Sequence, residues 1–231
     1  MWLYALLLIG SFAVPFALSF DKKLRFRDKW RFVLPAIVAV AAVFILFDIL
    51  YTHLGIWGFN ERYHTGLSMA GLPFEEYMFF IVIPYASLFI HYAFYIYYPK
   101  VHPGPATSRY ITIALLLLSA LVIAFNSEKA YTFYAFGALI VALLLSFADR
   151  TGEISRFYFS WLIILIPFVI VNGVLTGSLI DQEVVWYNPN EITGIRVFTI
   201  PIEDFAYGFS LILLNILTIN ILNHGKPIYK S

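Results

Sequence analysis

Seven membrane-crossing helices, disposed as two three-helix repeats with a linking helix between them, form the all-α polytopic architecture that this chain implies. Three observations carry that expectation: hydropathy, the sidedness of the basic residues, and an internal repeat of landmarks. Of the 231 residues 61% are hydrophobic and only 13% charged, with a mean hydropathy of +0.81; soluble domains carry about 25% charged residues. The chain is therefore expected to live in the lipid bilayer. A net charge of +1 offers no field for a nucleic acid, and none is expected as a partner. The absence of cysteine excludes disulfides, thiolate metal sites and thiol nucleophiles. The N-terminus has neither a basic n-region nor a small-residue cleavage site, and it reads as a retained first span.

A span needs about 20 mainly apolar residues. Seven stretches qualify: Leu3 to Phe20, Phe32 to Tyr51, Phe74 to Tyr98, Tyr110 to Phe125, Tyr131 to Phe147, Phe157 to Leu175 and Ile202 to Leu222, the fourth being the shortest. Twelve basic residues (Lys22, Lys23, Arg25, Arg27, Lys29, Arg31, Lys100, Arg109, Arg150, Arg156, Lys226 and Lys230) fall on one side of this arrangement, and three (Arg62, Lys129 and Arg196) on the other. The positive-inside rule then sets the N-terminus outside and the C-terminus in the cytoplasm of a multi-pass cell-membrane protein.

The repeat runs through the same order of landmarks twice. Ser19-Phe20 and Ser146-Phe147 close the first span of each half, Asp48 and Asn172 lie late in the second, and Trp57 and Trp186 follow. Pro73-Phe74-Glu75-Glu76 begins 16 residues after Trp57, and Pro201-Ile202-Glu203-Asp204 begins 15 after Trp186. The expected division is residues 1–98, a linking helix in 99–130, and 131–231. Three spans per half and one between them orient the halves alike, about an axis along the membrane normal, with the site between them.

Ionisable groups inside spans mark sites by default, and here they are Asp48, Glu75, Glu76, His91, Glu203 and Asp204. Neighbours on a helix point about 100° apart, so both acids of a pair cannot face one cavity. A proline at the first helical position and acids in the first turn also suit any helix start. Capping does not, however, require the same device at equivalent places in both halves. Ten aromatic residues lie between Tyr77 and Tyr98, within an overall 19%. A carboxyl in apolar surroundings tends to keep its proton, and aromatic faces stabilise a cation without offering it a base. Such a box suits carbocation chemistry, with Trp57, Phe74, Tyr77, Asn172, Trp186 and Tyr207 as its candidate substrate-binding lining. His91 is expected to pack or hydrogen-bond locally, and no histidine spacing suggests a metal. Asp21, Glu153 and Glu183 read as surface acids.

On the paired Pro-Phe-Glu-Glu and Pro-Ile-Glu-Asp motifs, the Asp48 to Trp57 segment and the seven spans, the whole chain resembles the membrane-integral lycopene cyclases, with two halves joined in one polypeptide. That resemblance implies a carotene hydrocarbon substrate and no cofactor. It also implies an intramolecular lyase or isomerase in which an acid protonates the terminal double bond, the next double bond closes a six-membered ring, and a carboxylate removes a proton to leave the β end. Catalytic candidates are then Glu75, Glu76, Glu203, Asp204 and Asp48, with Glu75 and Glu203 ranked first. Asn172 stands where the first half has Asp48, which breaks the equivalence of the halves. No Gly-x-Gly occurs for a nucleotide-binding turn, no lysine lies in the last span to carry retinal, and no paired aspartates are spaced to hold magnesium diphosphate. A proton-coupled transporter or channel is the alternative, since paired acids and a repeat describe those as well.

Overall fold

A computed structural model describes residues 2–226. Lys230, counted above among the basic residues of the cytoplasmic side, lies outside the described residues, as do the last positions of the second half. Among the described residues there are seven α-helices: α1 Leu3–Leu18, α2 Trp30–His53, α3 Phe74–Tyr97, α4 Pro105–Phe125, α5 Ala130–Ser146, α6 Glu153–Leu175 and α7 Ile202–Leu222. Short strands β1 Trp57–Phe59, β2 Ser68–Met69 and β3 Leu72–Pro73 separate α2 from α3, and β4 Val185–Tyr187, β5 Arg196–Val197 and β6 Ile200–Pro201 separate α6 from α7. This is an all-α membrane protein. Five helices (α2, α3, α4, α6 and α7) are long and apolar enough to cross a bilayer.

The short helices are not where they were expected. The fourth reaches 21 residues, because Pro105 sits at its first position with a preset helical φ and carries the helix back past Tyr110. The short ones are α1 and α5, with 16 and 17 residues. At 1.5 Å per residue these reach about 25 Å against a hydrocarbon core of about 30 Å. Each is the first helix of its half, and both start at the end where the strands lie: the Tyr4 N–H donates to Tyr63 O in the α2–α3 loop.

The two halves interlock. Helix α1 packs on α3 as α5 packs on α7, and each second helix crosses to the other half, α2 onto α7 and α6 onto α3. At the loop end β1 pairs antiparallel with β4, Trp57 opposite Tyr187 and Gly58 opposite Trp186, so one ribbon ties the two long loops together. Gly58 is needed there for close approach, since a Cβ at this position would fall 2.4 Å from the Trp186 ring.

The acid motifs start helices differently from the sequence expectation. Pro73 and Pro201 are not the first helical residues; they are extended N-caps (φ −64° and −58°) that end the hairpins β2–β3 and β5–β6. Proline fits both duties, because its ring sets φ and the missing N–H is not needed by a terminal strand residue. Phe74 and Ile202 are then the first helical residues, and each acid pair occupies the next two positions beside the free N–H groups of the turn.

Candidate functional site

The first acid of each motif turns back to its own loop. Glu75 Oε1 accepts the Thr65 N–H at 2.7 Å, and Glu203 Oε1 accepts the Thr193 N–H at 2.6 Å and the Thr132 hydroxyl at 2.7 Å. Both glutamates are buried, yet neither lines the cavity between the halves. The second acid, about 100° further round the helix, does. Glu76 and Asp204 face a common space together with Asp48 of α2.

That cavity holds about 370 Å³ and draws walls from both halves. Its polar end is organised by phenols. Tyr4 at the start of α1 donates to Glu76 Oε2 at 2.5 Å, and Tyr131 at the start of α5 donates to Asp204 Oδ1 at 2.6 Å. Asp204 Oδ2 also accepts Asn172 Nδ2 at 2.8 Å and the Tyr187 hydroxyl at 2.9 Å. Burial, followed by the nearby Asp204 charge, pushes the Tyr187 phenol well above its ordinary range, so it stays a donor. Asp48 is held by the Trp57 indole, and its Oδ2 is buried without a partner. The two halves therefore present different chemistry. One brings two carboxyl groups to the cavity, Asp48 and Glu76; the other brings one, Asp204, which accepts three hydrogen bonds. Below this end the walls are aromatic and aliphatic, with Phe79, Phe89, Trp161, Phe168 and Tyr207 among them.

Of the candidate binding residues, Trp57, Asn172 and Tyr207 line the cavity, and Phe74, Tyr77 and Trp186 do not. Phe74 lies two residues before Glu76, about 200° away on the helix, and is 54% exposed. Tyr77 donates to Met69 O of the hairpin. Trp186 is on a strand, where neighbours face opposite sides; it covers Gly58, and Val185 and Tyr187 face inward instead. The aromatic that works with Trp57 is thus Tyr187, one residue on. Tyr4 and Tyr131 escaped the sequence reading, although a signal existed: they precede their acids by 72 and 73 residues at the starts of equivalent helices.

At the opposite end of the bundle Glu153 is not a surface acid. Helix α6 starts four residues earlier than expected, which draws Glu153 fully inside, with its Oε1 3.4 Å from His91 Nε2. His91 Nδ1 pairs with Ser160 Oγ at 2.6 Å, in keeping with a local hydrogen-bonding histidine. Asp21 and Glu183 are exposed as expected.

The lycopene cyclase family model matches residues 1–94 and 128–222, leaving out the end of α3, its connection to α4, α4 itself and the chain's end. No curated protein and no solved structure matches the chain. The two matched segments are the two sets of helices that enclose the carboxylate-bearing cavity, and on this match the chain belongs to the lycopene cyclase family.

Proposed function

We propose that this membrane enzyme closes β rings on lycopene by moving one proton in and one proton out, with no cofactor and no net redox change. The reading is carried by one observation: three carboxyl groups from both halves converge on one cavity with largely apolar and aromatic walls. A proton leaves a carboxylic acid of the Asp48–Glu76 pair for the terminal double bond, and its π electrons form the new C–H bond. The tertiary cation accepts the electrons of the next double bond, which closes the six-membered ring and moves the cation onto the ring. Asp204, already the acceptor of three hydrogen bonds, takes the adjacent ring proton, and the C–H electrons become the ring double bond. Atoms and charge balance without an oxidant or a second substrate. The π faces of Trp57 and Tyr207 at the cavity wall favour the passing cation. The two halves act as one unit, residues 1–98 and 131–231 joined through 99–130, since neither encloses the cavity alone.

Expression in bacterial cells that accumulate lycopene tests this. Red cells should turn orange with β-ring carotenes, and membranes given preformed, unlabelled lycopene in deuterated water should leave one deuterium per ring on the carbon beside the geminal dimethyl carbon. Cells that stay red with the protein present in the membrane would rule the reading out.

The twelve-to-three distribution of basic residues supports a cell-membrane orientation with the carboxylate end outside and the C-terminus cytoplasmic. Single cysteines introduced near Arg62 and near Lys23 provide a clean readout, because the chain has none. The first should react with an impermeant thiol reagent in intact cells and the second should not; the reverse pattern would invert the topology.

A further inference from the structure

The exposed lining of the cavity is confined to two helices among the described residues. Of the residues that line the cavity only Gly10, Val14 and Pro167 are exposed, and all three sit within the apolar helices α1 and α6, away from the loops that carry the strands. These two helices are not closely packed on one another; α1 lies on α3, and α6 lies mainly on α3, with lesser contact to α4 and α7. The opening is flanked by Ser11, Pro15, Phe168 and Val171. Both walls carry an internal proline, Pro15 and Pro167, where a backbone hydrogen bond is missing and the helix is easily deformed. Toward the loops the gap is shut by a cluster that includes Tyr4, Leu8, Leu175 and Val184.

The corresponding gap on the other half, between α5 and α2, is filled. The Tyr134 ring packs among Phe47 at 4.8 Å, Tyr51 at 5.1 Å, Tyr207 at 5.9 Å and Phe44 at 6.4 Å, mostly edge to face, and Trp57 closes on Tyr131 at 4.9 Å. The halves thus share a plan for the acids but differ in access.

Size decides what passes through. An apolar cavity of 150 Å³ takes one benzene, about 25 Å³ per carbon, so 370 Å³ takes roughly fifteen carbons. A C40 chain cannot be enclosed. The opening at Gly10 to Val14 lies six to ten residues along α1 from Tyr4, roughly 9–15 Å from the Glu76 end. A hydrocarbon moving from lipid tails into an apolar wall crosses no water and gives up no hydration, as lipid is itself as apolar as the wall.

Resting on the cyclase reading, we infer that the carotene enters sideways from the bilayer between α1 and α6, one end at a time, with the rest of the polyene left trailing through this portal into the lipid. Gly10 is the threshold residue of that portal.

A Cβ at Gly10 or at Gly137, its counterpart on α5, meets nothing within 4 Å, so both sites accept a side chain. In lycopene-containing liposomes with purified full-length protein, Gly10→Phe should slow lycopene consumption at least about tenfold, or about 1.4 kcal/mol of barrier. Ser11→Leu, which puts bulk on the same wall in place of a hydroxyl bonded to Leu7 O, should slow it in the same direction. Gly137→Phe should stay within about twofold of wild type, below 0.5 kcal/mol. A monocyclic carotene should precede any bicyclic one. Undiminished turnover in both Gly10→Phe and Ser11→Leu, or bicyclic product with no monocyclic precursor, overturns the portal while the wild type still cyclises. A wild type that leaves lycopene unchanged overturns the cyclase reading beneath it.

Discussion

Asp204→Asn and Glu76→Gln should each lower cyclisation by 10²–10⁴-fold, the usual worth of a positioned general acid or base, while leaving the protein folded in the membrane. Both substitutions preserve size and keep an oxygen to accept from Tyr131 or Tyr4, so the surrounding hydrogen bonds survive in part. What they remove is the transferable proton or the site that receives it, and the largely apolar walls of the cavity disfavour water as a substitute. Asp48→Asn should fall in the same range, because Oδ2 of Asp48 is buried in the cavity wall with no other partner. The comparison that gives the result its meaning is Glu75→Gln and Glu203→Gln. These glutamates accept loop N–H groups and do not face the cavity, so their loss should stay within about tenfold, the scale of a weakened hydrogen bond. Carotenoid composition and membrane abundance, measured together for all five variants, check the ordering. If Glu203→Gln fell as far as Asp204→Asn at equal abundance, the assignment of the second acid of each pair would be wrong.

Glu153→Ala should destabilise the protein by about 1–3 kcal/mol, the range for disturbing buried polar contacts, without lowering turnover per folded molecule. Glu153 and His91 are both fully buried and belong to α6 and α3, helices of different halves, so the contact pins the halves together at the end remote from the acids. Neither residue lines the cavity. Thermal inactivation in detergent, followed by residual cyclisation at low temperature, separates the two quantities. An unshifted inactivation midpoint, or a normal midpoint with lost turnover, would contradict the structural role.

Much was legible in the sequence because lipid imposes a strong rule: backbone groups without water must bond internally, so long apolar runs become helices. Hence α7 begins and ends where the apolar run does, and α3 falls short of its expected end by a single residue. The family too was legible, since two acid motifs at equivalent places in seven spans are a local pattern, and the match to residues 1–94 and 128–222 covers both. Charge sidedness and the repeat likewise depend on order along the chain alone. What only the tertiary structure decided was direction. Two adjacent acids differ by about 100° on a helix, and composition does not say which one looks inward; the packing of α3 and α7 against both second helices turns Glu76 and Asp204 to the cavity and leaves Glu75 and Glu203 to the loops. The register of β1 on β4 likewise decides that Tyr187 and not Trp186 reaches the acids, since one step along a strand flips a side chain to the other face. The donors Tyr4 and Tyr131 stand more than seventy residues from the carboxylates they hold, and the Tyr134 ring that packs between α5 and α2 has Leu7 at the equivalent place on α1. Those are properties of packed surfaces, which a one-dimensional pattern does not contain.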